Sequence, residues 1–390
     1  MNITYRVDKN ILYISIEGRI DASNAAAADE QIFAIKNSNV GMHTVIDADD
    51  LEYISSAGLR VILKLRKEDP KLAIINVSPD VYEVFDMTGF TDMITVEKAY
   101  KRLSIDGCEF IAKGANGAVY KYDDETIVKT YFSKDALPEI QQERESARKA
   151  FVLGVSTAIP YGIVRIGDGY GSLTEMLDPI NITKLICNDP MNLDKPVEYF
   201  IDLLKSIHAV EAEDGDFPDM REIAIDWVNF VCEYLPEKEA KKLCGMVNAI
   251  PKMNVLLHGD YHTNNVMLQK GEPLIIDLDT LCVGHPIFEL GSMYNAFLGF
   301  SEYDNEEIKK FMGFDRETSK RFWRLSIKRY IGTDDEERYN EVVTKASVIG
   351  YVRLLRRTLR RMHEAEAEEK AAFYKKRLIE TINMVDSLTF

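Results

Sequence analysis

The chain has 390 residues, and 64 acidic against 48 basic side chains give it a formal net charge of −16. Because this length exceeds that of one ordinary domain, we expect two or three folded units. Hydrophobic residues make up 46% of the chain, which is enough to build buried cores. The acidic balance lacks the electrostatic footprint of a general nucleic-acid or anionic-membrane binder.

The five cysteines are scattered, and none forms a pair at the CxxC spacing of metal and redox motifs. We therefore expect reduced thiols. The opening sequence MNITYRVDKNILYISIEG has no basic region followed by an apolar stretch, and no later apolar run is long enough for a bilayer. These features predict a cytoplasmic protein without a membrane span.

The first hundred residues alternate between two periodicities. Leu12, Ile14 and Ile16 recur at every second position, which predicts a half-buried strand. Strand-like and helix-like segments then follow one another at 11–16, 25–38, 44–46, 56–67, 72–77 and 79–89. This alternation indicates an α/β domain, which we place at residues 1–102 because the pattern breaks there.

Two serines, Ser55 and Ser56, directly precede the helical pattern that starts at 56. A serine hydroxyl at a helix N-terminus accepts a hydrogen bond from an unpaired amide, so a structural cap explains them. The same helix end also stabilises negative charge, so a phosphoserine is the alternative.

The segments GRIDASNA, LEYISSAGLRVIL and NVSPDVYEVFDMTGF, in this order, resemble the STAS domain of bacterial anti-sigma-factor antagonists. In that family a partner kinase phosphorylates the serine before the Ala/Ser-Gly-Leu step, and this position is Ser56 here. The family usually has aspartate one residue earlier, where this chain has Ser55. The resemblance implies a protein partner and makes Ser56 a regulatory phosphorylation candidate.

A glycine-rich segment, KGANGAVY, lies between strand patterns at 113–120. Its glycines could let backbone amides approach a phosphate, although a hairpin turn also explains them. Lys129 follows in an apolar strand, where a buried ammonium needs an anionic partner or a phosphate. The next helix offers Glu143 and Glu145 as partners.

The segment HGDYHTNN places Asp260 five positions before Asn265, and Asp277 follows inside an apolar run. Phosphoryl transfer to a hydroxyl needs a carboxylate beside the hydroxyl and oxygen ligands for Mg²⁺, and these three residues supply that set. A metal site on His258 and His262 is the alternative, but further regularly spaced ligands are absent from the sequence.

In order, KGANGAVY, IVK, ERE, HGDYHTNN and IIDLD resemble the aminoglycoside phosphotransferase or choline-kinase-like fold, a relative of the protein kinases. The resemblance covers about 103–291. It implies a small sheet-rich lobe at 103–178 and a helical lobe at 179–390. The predicted fold class is therefore an α/β STAS domain plus an α+β two-lobed protein-kinase-like domain.

The resemblance also implies ATP and Mg²⁺ as cofactors, with a role for each matching residue. Lys129 contacts the α- and β-phosphates, and Glu145 pairs with it, since its distance along the chain favours it over Glu143. Asp260 is the catalytic aspartate, and His258 supports its loop. The remaining matches are Asn265 and Asp277 for the metal, Gly114, Asn116, Gly117 and Val119 in the phosphate loop, and Glu175 and Leu177 in the adenine hinge.

The predicted activity is transfer of the γ-phosphate of ATP to a hydroxyl of a small molecule, with the STAS domain as a regulatory or docking module. The alternative is a signalling module that binds a protein partner and senses nucleotide.

A helical pattern runs through 349–370, with five arginines that are most simply a solvated face. A phosphate or acidic substrate bound by these arginines is the alternative: Arg353, Arg356, Arg357, Arg360 and Arg361.

Overall fold

The computed structural model describes residues 1–114, 116–133, 136–178, 180–362 and 366–390. Ala115 of the glycine-rich segment and residues 363–365 of the last predicted helical stretch therefore lie outside the described residues. The chain divides into two units, Met1–Ser104 and Ile105–Phe390, close to the boundary predicted after residue 102.

The first unit is built on a mixed sheet with strand order β1-β2-β3-β5-β6, in which β4 pairs with β2. Strand β1 runs antiparallel to β2, and the other pairs are parallel. Its strands are β1 (Asn2–Asp8), β2 (Ile11–Ile20), β3 (His43–Asp47), β4 (Leu51–Ile54), β5 (Ala73–Val77), β6 (Thr95–Lys98) and β7 (Lys101–Arg102). Its helices are α1 (Ala25–Ser38), α2 (Ser56–Glu68) and α3 (Pro79–Met87).

The core of this unit follows the sequence periodicity. Leu12, Ile14 and Ile16 of β2 are almost fully buried, as the period of two predicts. Helix α3 starts with Pro79 at its first turn and with the Ser78 hydroxyl accepting from the amide of Val81. Local capping and burial on one face of each element therefore produce the predicted α/β arrangement.

The second unit combines an antiparallel sheet, ordered β11-β12-β10-β9-β8, with a large helical region. Its strands are β8 (Glu109–Lys113), β9 (Gly117–Lys121), β10 (Thr126–Tyr131), β11 (Pro160–Ile166), β12 (Gly169–Glu175), β13 (Leu256–Leu257), β14 (Val266–Gln269), β15 (Glu272–Ile275) and β16 (Cys282–Val283). Its helices are α4 (Leu137–Val152), α5 (Ile182–Asn188), α6 (Asp194–His208), α7 (Met220–Cys232), α8 (Glu237–Asn248), α9 (Ile287–Tyr294), α10 (Phe300–Tyr303), α11 (Glu307–Met312), α12 (Arg316–Ile331), α13 (Glu336–Leu359) and α14 (Ala367–Ile382).

The last helical pattern differs from the prediction, because 349–370 is not one helix. Helix α13 ends at Leu359, and α14 begins at Ala367. Glu366 adopts a left-handed backbone with φ 63°, which an uninterrupted right-handed helix cannot include. The arginines of this segment therefore lie at the end of α13.

All five cysteines are free thiols. Cys232 on α7 and Cys244 on α8 bring their Sγ atoms to 3.2 Å of each other across two adjacent helices. In the part of the chain that the structure describes, no helix has both the length and the apolar character that a bilayer crossing requires.

Candidate active site

Lys129 lies on the central strand β10 and points to a carboxylate on α4. Its Nζ donates to Glu143 Oε1 at 2.8 Å, and the Tyr131 hydroxyl donates to Glu143 Oε2 at 2.8 Å. Burial alone would lower the pKa of Lys129, but the Glu143 carboxylate raises it above its ordinary value. Lys129 is therefore a fixed cation held by one helix carboxylate.

The predicted pairing of Lys129 with Glu145 is wrong in this structure. Glu145 instead accepts from Arg148 at 2.7 and 3.0 Å on the outer surface of α4. Residues two apart on an α-helix point about 200° away from each other, so only one of the two glutamates can face the sheet. Counting along the chain could not select between them, because helix phase decides which one faces Lys129.

The glycine-rich segment is a tight hairpin between β8 and β9. Gly114 N–H donates to Gly117 C=O at 2.9 Å, and Asn116 C=O accepts from Phe132 N–H at 3.0 Å. A Cβ on Gly117 would lie 1.9 Å from the carbonyl oxygen of Thr130, so close strand packing demands glycine there. Val119 lies opposite Lys129 in the register of β9 and β10.

The predicted hinge follows strand β12. Glu175 is the last residue of that strand, and its side chain accepts from Ile159 N–H at 3.2 Å. The amide of Met176 donates to Glu125 C=O at 2.7 Å, which fixes the strand end. Leu177 follows outside regular structure and is partly buried. Contact of Glu175 and Leu177 with a nucleotide stays a prediction.

The loop that carries Asp260 begins directly after β13. Gly259 has φ +82°, and a Cβ there would meet the carbonyl oxygen of Thr280 at 2.4 Å. The carbonyl of Gly259 accepts from Ser292 Oγ at 3.0 Å and from Arg353 Nη1 at 3.1 Å. Glycine is therefore required in the HGD sequence by the path of the backbone.

The carboxylate of Glu289 holds the Asp260 loop in place through hydrogen bonds to its backbone. Glu289 is fully buried, and its carboxylate accepts from His258 N–H at 2.5 Å and from Gly259 N–H at 3.1 Å. Burial alone would raise the pKa of Glu289, but His208, His258 and the Gly259 amide hold it below its ordinary value. A buried carboxylate thus positions two successive backbone amides beside Asp260.

His258 is fully buried, and its Nε2 lies 3.0 Å from Ile276 C=O. Its Nδ1 accepts from Asp260 N–H at 3.3 Å, so both ring nitrogens serve the loop. The neighbouring His262 places Nε2 3.5 Å from Asp260 Oδ2. These contacts put His258 in the supporting position that the sequence predicts.

Asp260 presents a half-exposed carboxylate at the end of this loop. Burial opposes its ionisation, but His262, Arg353 and His258 together lower its pKa below the ordinary value. Asn265 Nδ2 donates to Asp260 C=O at 3.1 Å, which leaves the amide oxygen of Asn265 for another partner. An ionised carboxylate and an amide oxygen therefore flank the same loop.

The hairpin of β14 and β15 brings Asn265 and Asp277 together. Val266 pairs with Ile275, and Ile276 N–H donates to Asn265 C=O at 2.9 Å, so both residues lie at the open end of the hairpin. Asp277 adopts a left-handed backbone with φ 64°, an unfavourable conformation for a non-glycine residue. Its Oδ1 lies 3.8 Å from Lys129 Nζ.

Negative charge is concentrated here. The pKa of Asp279 is raised to about 6, first by burial and then by the carboxylates of Asp277, Glu143 and Asp260. An amide oxygen from Asn265 and a carboxylate from Asp277 are hard oxygen ligands of the kind that Mg²⁺ prefers.

No group of three or more His, Cys, Asp or Glu side chains that could hold a metal ion occurs among the described residues. Protein Mg²⁺ sites commonly use one or two carboxylates and leave other positions to substrate phosphates and water. Asn265 and Asp277 therefore fit Mg²⁺ as a partial ligand set.

In the first unit, Ser55 is the N-cap of α2. Its hydroxyl accepts from the amide of Gly58 at 3.4 Å, and its backbone is extended, as a cap requires. Ser56 is the first helical residue and is exposed. The structure therefore gives the capping role to Ser55 and leaves the Ser56 hydroxyl accessible.

Residues 107–322, more than half of the chain, match the family described as the phosphotransferase enzyme family. The chain belongs to this family. Residues 2–103 match the STAS domain, so a STAS domain is fused to the phosphotransferase domain. The predicted recognition of both parts and the predicted fold class are confirmed.

Known relatives cover the two parts separately. A protein of Bordetella bronchiseptica, BtrV, named as a candidate anti-sigma factor antagonist, is 31% identical over 100 residues, 25% of this chain and 85% of that protein. The anti-sigma-B factor antagonist of Bacillus subtilis is 24% identical over 100 residues, 25% of this chain and 90% of that protein. A thermostable mutant of aminoglycoside phosphotransferase APH(4)-Ia matches with a TM-score of 0.50 and 11% identity. That match covers 72% of this phosphotransferase chain and 97% of the other, and shows the fold alone.

The sequence interpretation missed two contributors to the site. Glu143 was passed over for Glu145, although helix phase relative to buried Ile140 would have favoured the inner glutamate. Glu289 was given no role from the sequence. Its location in an apolar stretch was the available signal, because a buried charge needs partners.

Proposed function

We propose that the Ile105–Phe390 unit transfers the γ-phosphate of ATP to a hydroxyl group of a small molecule in a Mg²⁺-dependent reaction. The observation that carries this proposal is the convergence of β10, α4 and the β14–β15 hairpin. Lys129 Nζ lies 2.8 Å from Glu143 and 3.8 Å from Asp277. A cation for phosphates and an oxygen ligand for a metal thus lie side by side.

Each residue of the proposed site has a distinct task. Lys129, fixed by Glu143, neutralises phosphate charge on the nucleotide, and the backbone around Gly114, Asn116, Gly117 and Val119 covers the phosphates. Asp260, ionised and positioned by its loop, orients the acceptor hydroxyl and accepts its proton. Asn265 and Asp277 would hold Mg²⁺, which when bound neutralises charge on the transferred group.

The strand end at Glu175 and Leu177 serves as the adenine hinge in this proposal. Preorganised charges and positioning account for most of the catalysis in such a site. Glu289 and His258 contribute by fixing the backbone on either side of Gly259, so that Asp260 does not have to be reordered during the reaction.

The test uses the full chain with MgATP, titrated for binding and followed for ADP release. We expect MgATP binding together with slow ATP hydrolysis, in which water replaces the acceptor hydroxyl. Asp260→Asn should lower this rate by about 10²–10⁴-fold and leave the melting temperature and MgATP affinity unchanged. Absence of MgATP binding, or turnover of the variant equal to that of the parent, would contradict the proposal.

A second candidate function concerns the STAS unit, as a docking module for a protein partner that is switched at Ser56. The exposed Ser56 hydroxyl at the N-terminus of α2 favours it, because a helix N-terminus stabilises added negative charge. Peptide mapping after incubation with MgATP tests it. Phosphate on Ser56 that is lost in Asp260→Asn supports a self-modifying pair, whereas an unmodified Ser56 rejects self-modification.

A further inference from the structure

A cavity of about 560 Å³ in the phosphotransferase unit has Asp260 in its wall. One wall of this cavity is an arginine face, which we define as the following residues at the end of α13: Arg353, Arg356, Arg357, Arg360 and Arg361. Among the described residues that line the cavity, the acidic ones are Asp260 and Glu307. The cavity beside the proposed catalytic aspartate is therefore strongly basic.

The spacing of the arginine face is helical. Arg353, Arg356 and Arg357 lie in the last two turns of α13, at the three- and four-residue spacing of one helix side. Arg360 and Arg361 directly follow the end of α13 at Leu359. Like charges at these spacings repel and destabilise a helix. Burial, and after it the charges of Arg360 and Arg353, lower the pKa of Arg356.

Five arginines elsewhere in the unit are paired with carboxylates, whereas Arg221 donates to the backbone carbonyls of Ile250 and Asn248. These pairs are Arg148 with Glu145, Arg324 with Glu336, Arg329 with Asp202, Arg338 with Glu341, and Arg377 with Glu302. Over the described ranges of the chain, Arg353, Arg356, Arg357 and Arg360 form no ion pair with a carboxylate. Arg356, Arg357 and Arg360 thus keep positive charge that no carboxylate among the described residues neutralises within ion-pair distance.

Aromatic rings support this face. The guanidinium groups of Arg353 and Arg356 each lie 5.3 Å from the ring centroid of Trp227, and that of Arg357 lies 5.7 Å from Phe300. Cation–π contacts orient a guanidinium while leaving its N–H donors free. The donors are therefore partly preorganised for an incoming anion.

Arg353 connects this face to the catalytic loop. It donates to Gly259 C=O at 3.1 Å, and its charge contributes to lowering the pKa of Asp260. An anionic group held by the neighbouring arginines would therefore lie in the same cavity as the Asp260 carboxylate. A small molecule that uses both the arginines and Asp260 must therefore carry an anionic group and a hydroxyl.

We propose that the phosphate acceptor is an alcohol that already carries a phosphate group, bound through the arginine face. This inference rests on the proposed function. A phosphate monoester carries up to two negative charges and fits the planar fork of arginine, so it matches this basic cavity wall better than one carboxylate does. A cationic acceptor is repelled by the same wall.

The reaction is balanced with ATP as the phosphate donor. The acceptor oxygen forms a bond to the γ-phosphorus as the bond from that phosphorus to the β–γ bridging oxygen breaks. The hydroxyl proton passes to Asp260, and ADP leaves. The product is an alcohol with one more phosphate group than the substrate.

The test is a calorimetric titration of inorganic phosphate into the full chain loaded with MgADP. A titration of chloride at the same ionic strength is the control. The parent is compared with R356Q/R360Q, and Arg329→Gln is the matched variant, since it removes a surface arginine that is paired with Asp202. Kanamycin serves as a cationic probe. Melting temperatures check that each variant is folded.

We expect phosphate to bind the parent and Arg329→Gln equally and to bind R356Q/R360Q at least tenfold more weakly, with MgADP affinity unchanged in all three. No phosphate binding to the parent, equal binding to R356Q/R360Q, or tighter binding of kanamycin than of phosphate would overturn the inference. If R356Q/R360Q is unfolded, the single variant Arg360→Gln replaces it with the same criteria. Failure of MgADP binding with intact arginine-dependent phosphate binding would instead reject the proposed function.

Discussion

The phosphotransferase unit contains two basic clusters that are built in opposite ways. Lys129 is held by Glu143 at 2.8 Å and lies 3.8 Å from Asp277, so its charge is matched within the protein. The arginine face rests on aromatic rings, and the charges of Arg353, Arg356, Arg357 and Arg360 have no matching carboxylate among the described residues. A cation that is paired within the protein is held in a fixed position, whereas an unpaired basic cluster can bind an anion from solution.

The phosphotransferase unit therefore contains two kinds of charged residue, and we expect mutations of each kind to have different effects. Mutating a member of a paired set leaves a buried partner unsatisfied, so it affects positioning and stability. Mutating Arg356 or Arg360 removes repulsion and breaks no ion pair among the described residues, so it affects ligand affinity. The following predictions use this contrast, beginning with the largest expected effect.

Asp260 lines the cavity that contains the arginine face and is the proposed catalytic carboxylate, so Asp260→Asn removes the group on which transfer depends. We expect the rate of phosphoryl transfer to fall by about 10²–10⁴-fold, the usual contribution of a general base. Steady-state ADP release measures it. An unchanged rate would show that the carboxylate has no part in the chemistry. The folded state should be retained, because the Asp260 side chain is half exposed.

Glu289→Ala tests most strongly the charged residues that have partners within the protein. The buried Glu289 carboxylate accepts hydrogen bonds from two amides of the Asp260 loop. We expect a loss of about 3–5 kcal/mol in the free energy of unfolding, as for breaking a buried charged contact. Urea denaturation measures it. Glu198→Ala, which removes a surface ion pair with the exposed Lys195 on α6, is the control and should change stability by less than about 1 kcal/mol. Equal effects would contradict the role of Glu289.

A comparison of Glu143→Gln with Glu145→Gln tests which of these two glutamates on α4 pairs with Lys129. We expect Glu143→Gln to lower nucleotide-dependent turnover by about 10- to 100-fold, since a charged hydrogen bond contributes roughly 1.5–3 kcal/mol. Glu145→Gln should match the parent. Turnover at saturating MgATP measures both. The reverse result would restore the pairing that was predicted from the sequence.

Ser55→Ala and Ser56→Ala apply the contrast to the STAS unit, where the effects are smallest. Ser55 accepts a hydrogen bond from Gly58, so its loss should destabilise α2 by about 0.5–2 kcal/mol. Ser56→Ala should change stability by less than about 0.5 kcal/mol, because the exposed hydroxyl is not the cap. Hydrogen exchange of the α2 amides measures both. A larger effect at Ser56 would move the capping role to that residue.

Much of the fold could be predicted because local rules and tertiary packing agree. Period-two burial in β2, the helix at 25–38 and the Pro79 start of α3 all follow from side-chain chemistry that the sequence displays. The break between α13 and α14 could not be predicted, because Glu366 adopts a left-handed conformation that glutamate does not favour.

The candidate site was predictable where residue spacing sets the geometry. Asn265 and Asp277 flank a hairpin, so their separation along the chain brings them together. The partner of Lys129 depends on which face of α4 meets the sheet, and the arginine face depends on which side of α13 meets the Asp260 loop. The apolar residue Ile140 marks the inner face of α4 and favours Glu143, whereas the arginines of α13 are equally compatible with a solvated face.

The most direct test of the two-cluster account is a crossed titration of Glu143→Gln and R356Q/R360Q with MgADP and with inorganic phosphate. The account predicts that Glu143→Gln weakens MgADP binding and leaves phosphate binding unchanged, while R356Q/R360Q does the reverse. Loss of both affinities in either variant, or exchange of the two effects, would contradict the assignment of nucleotide to the paired cluster and acceptor to the arginine face.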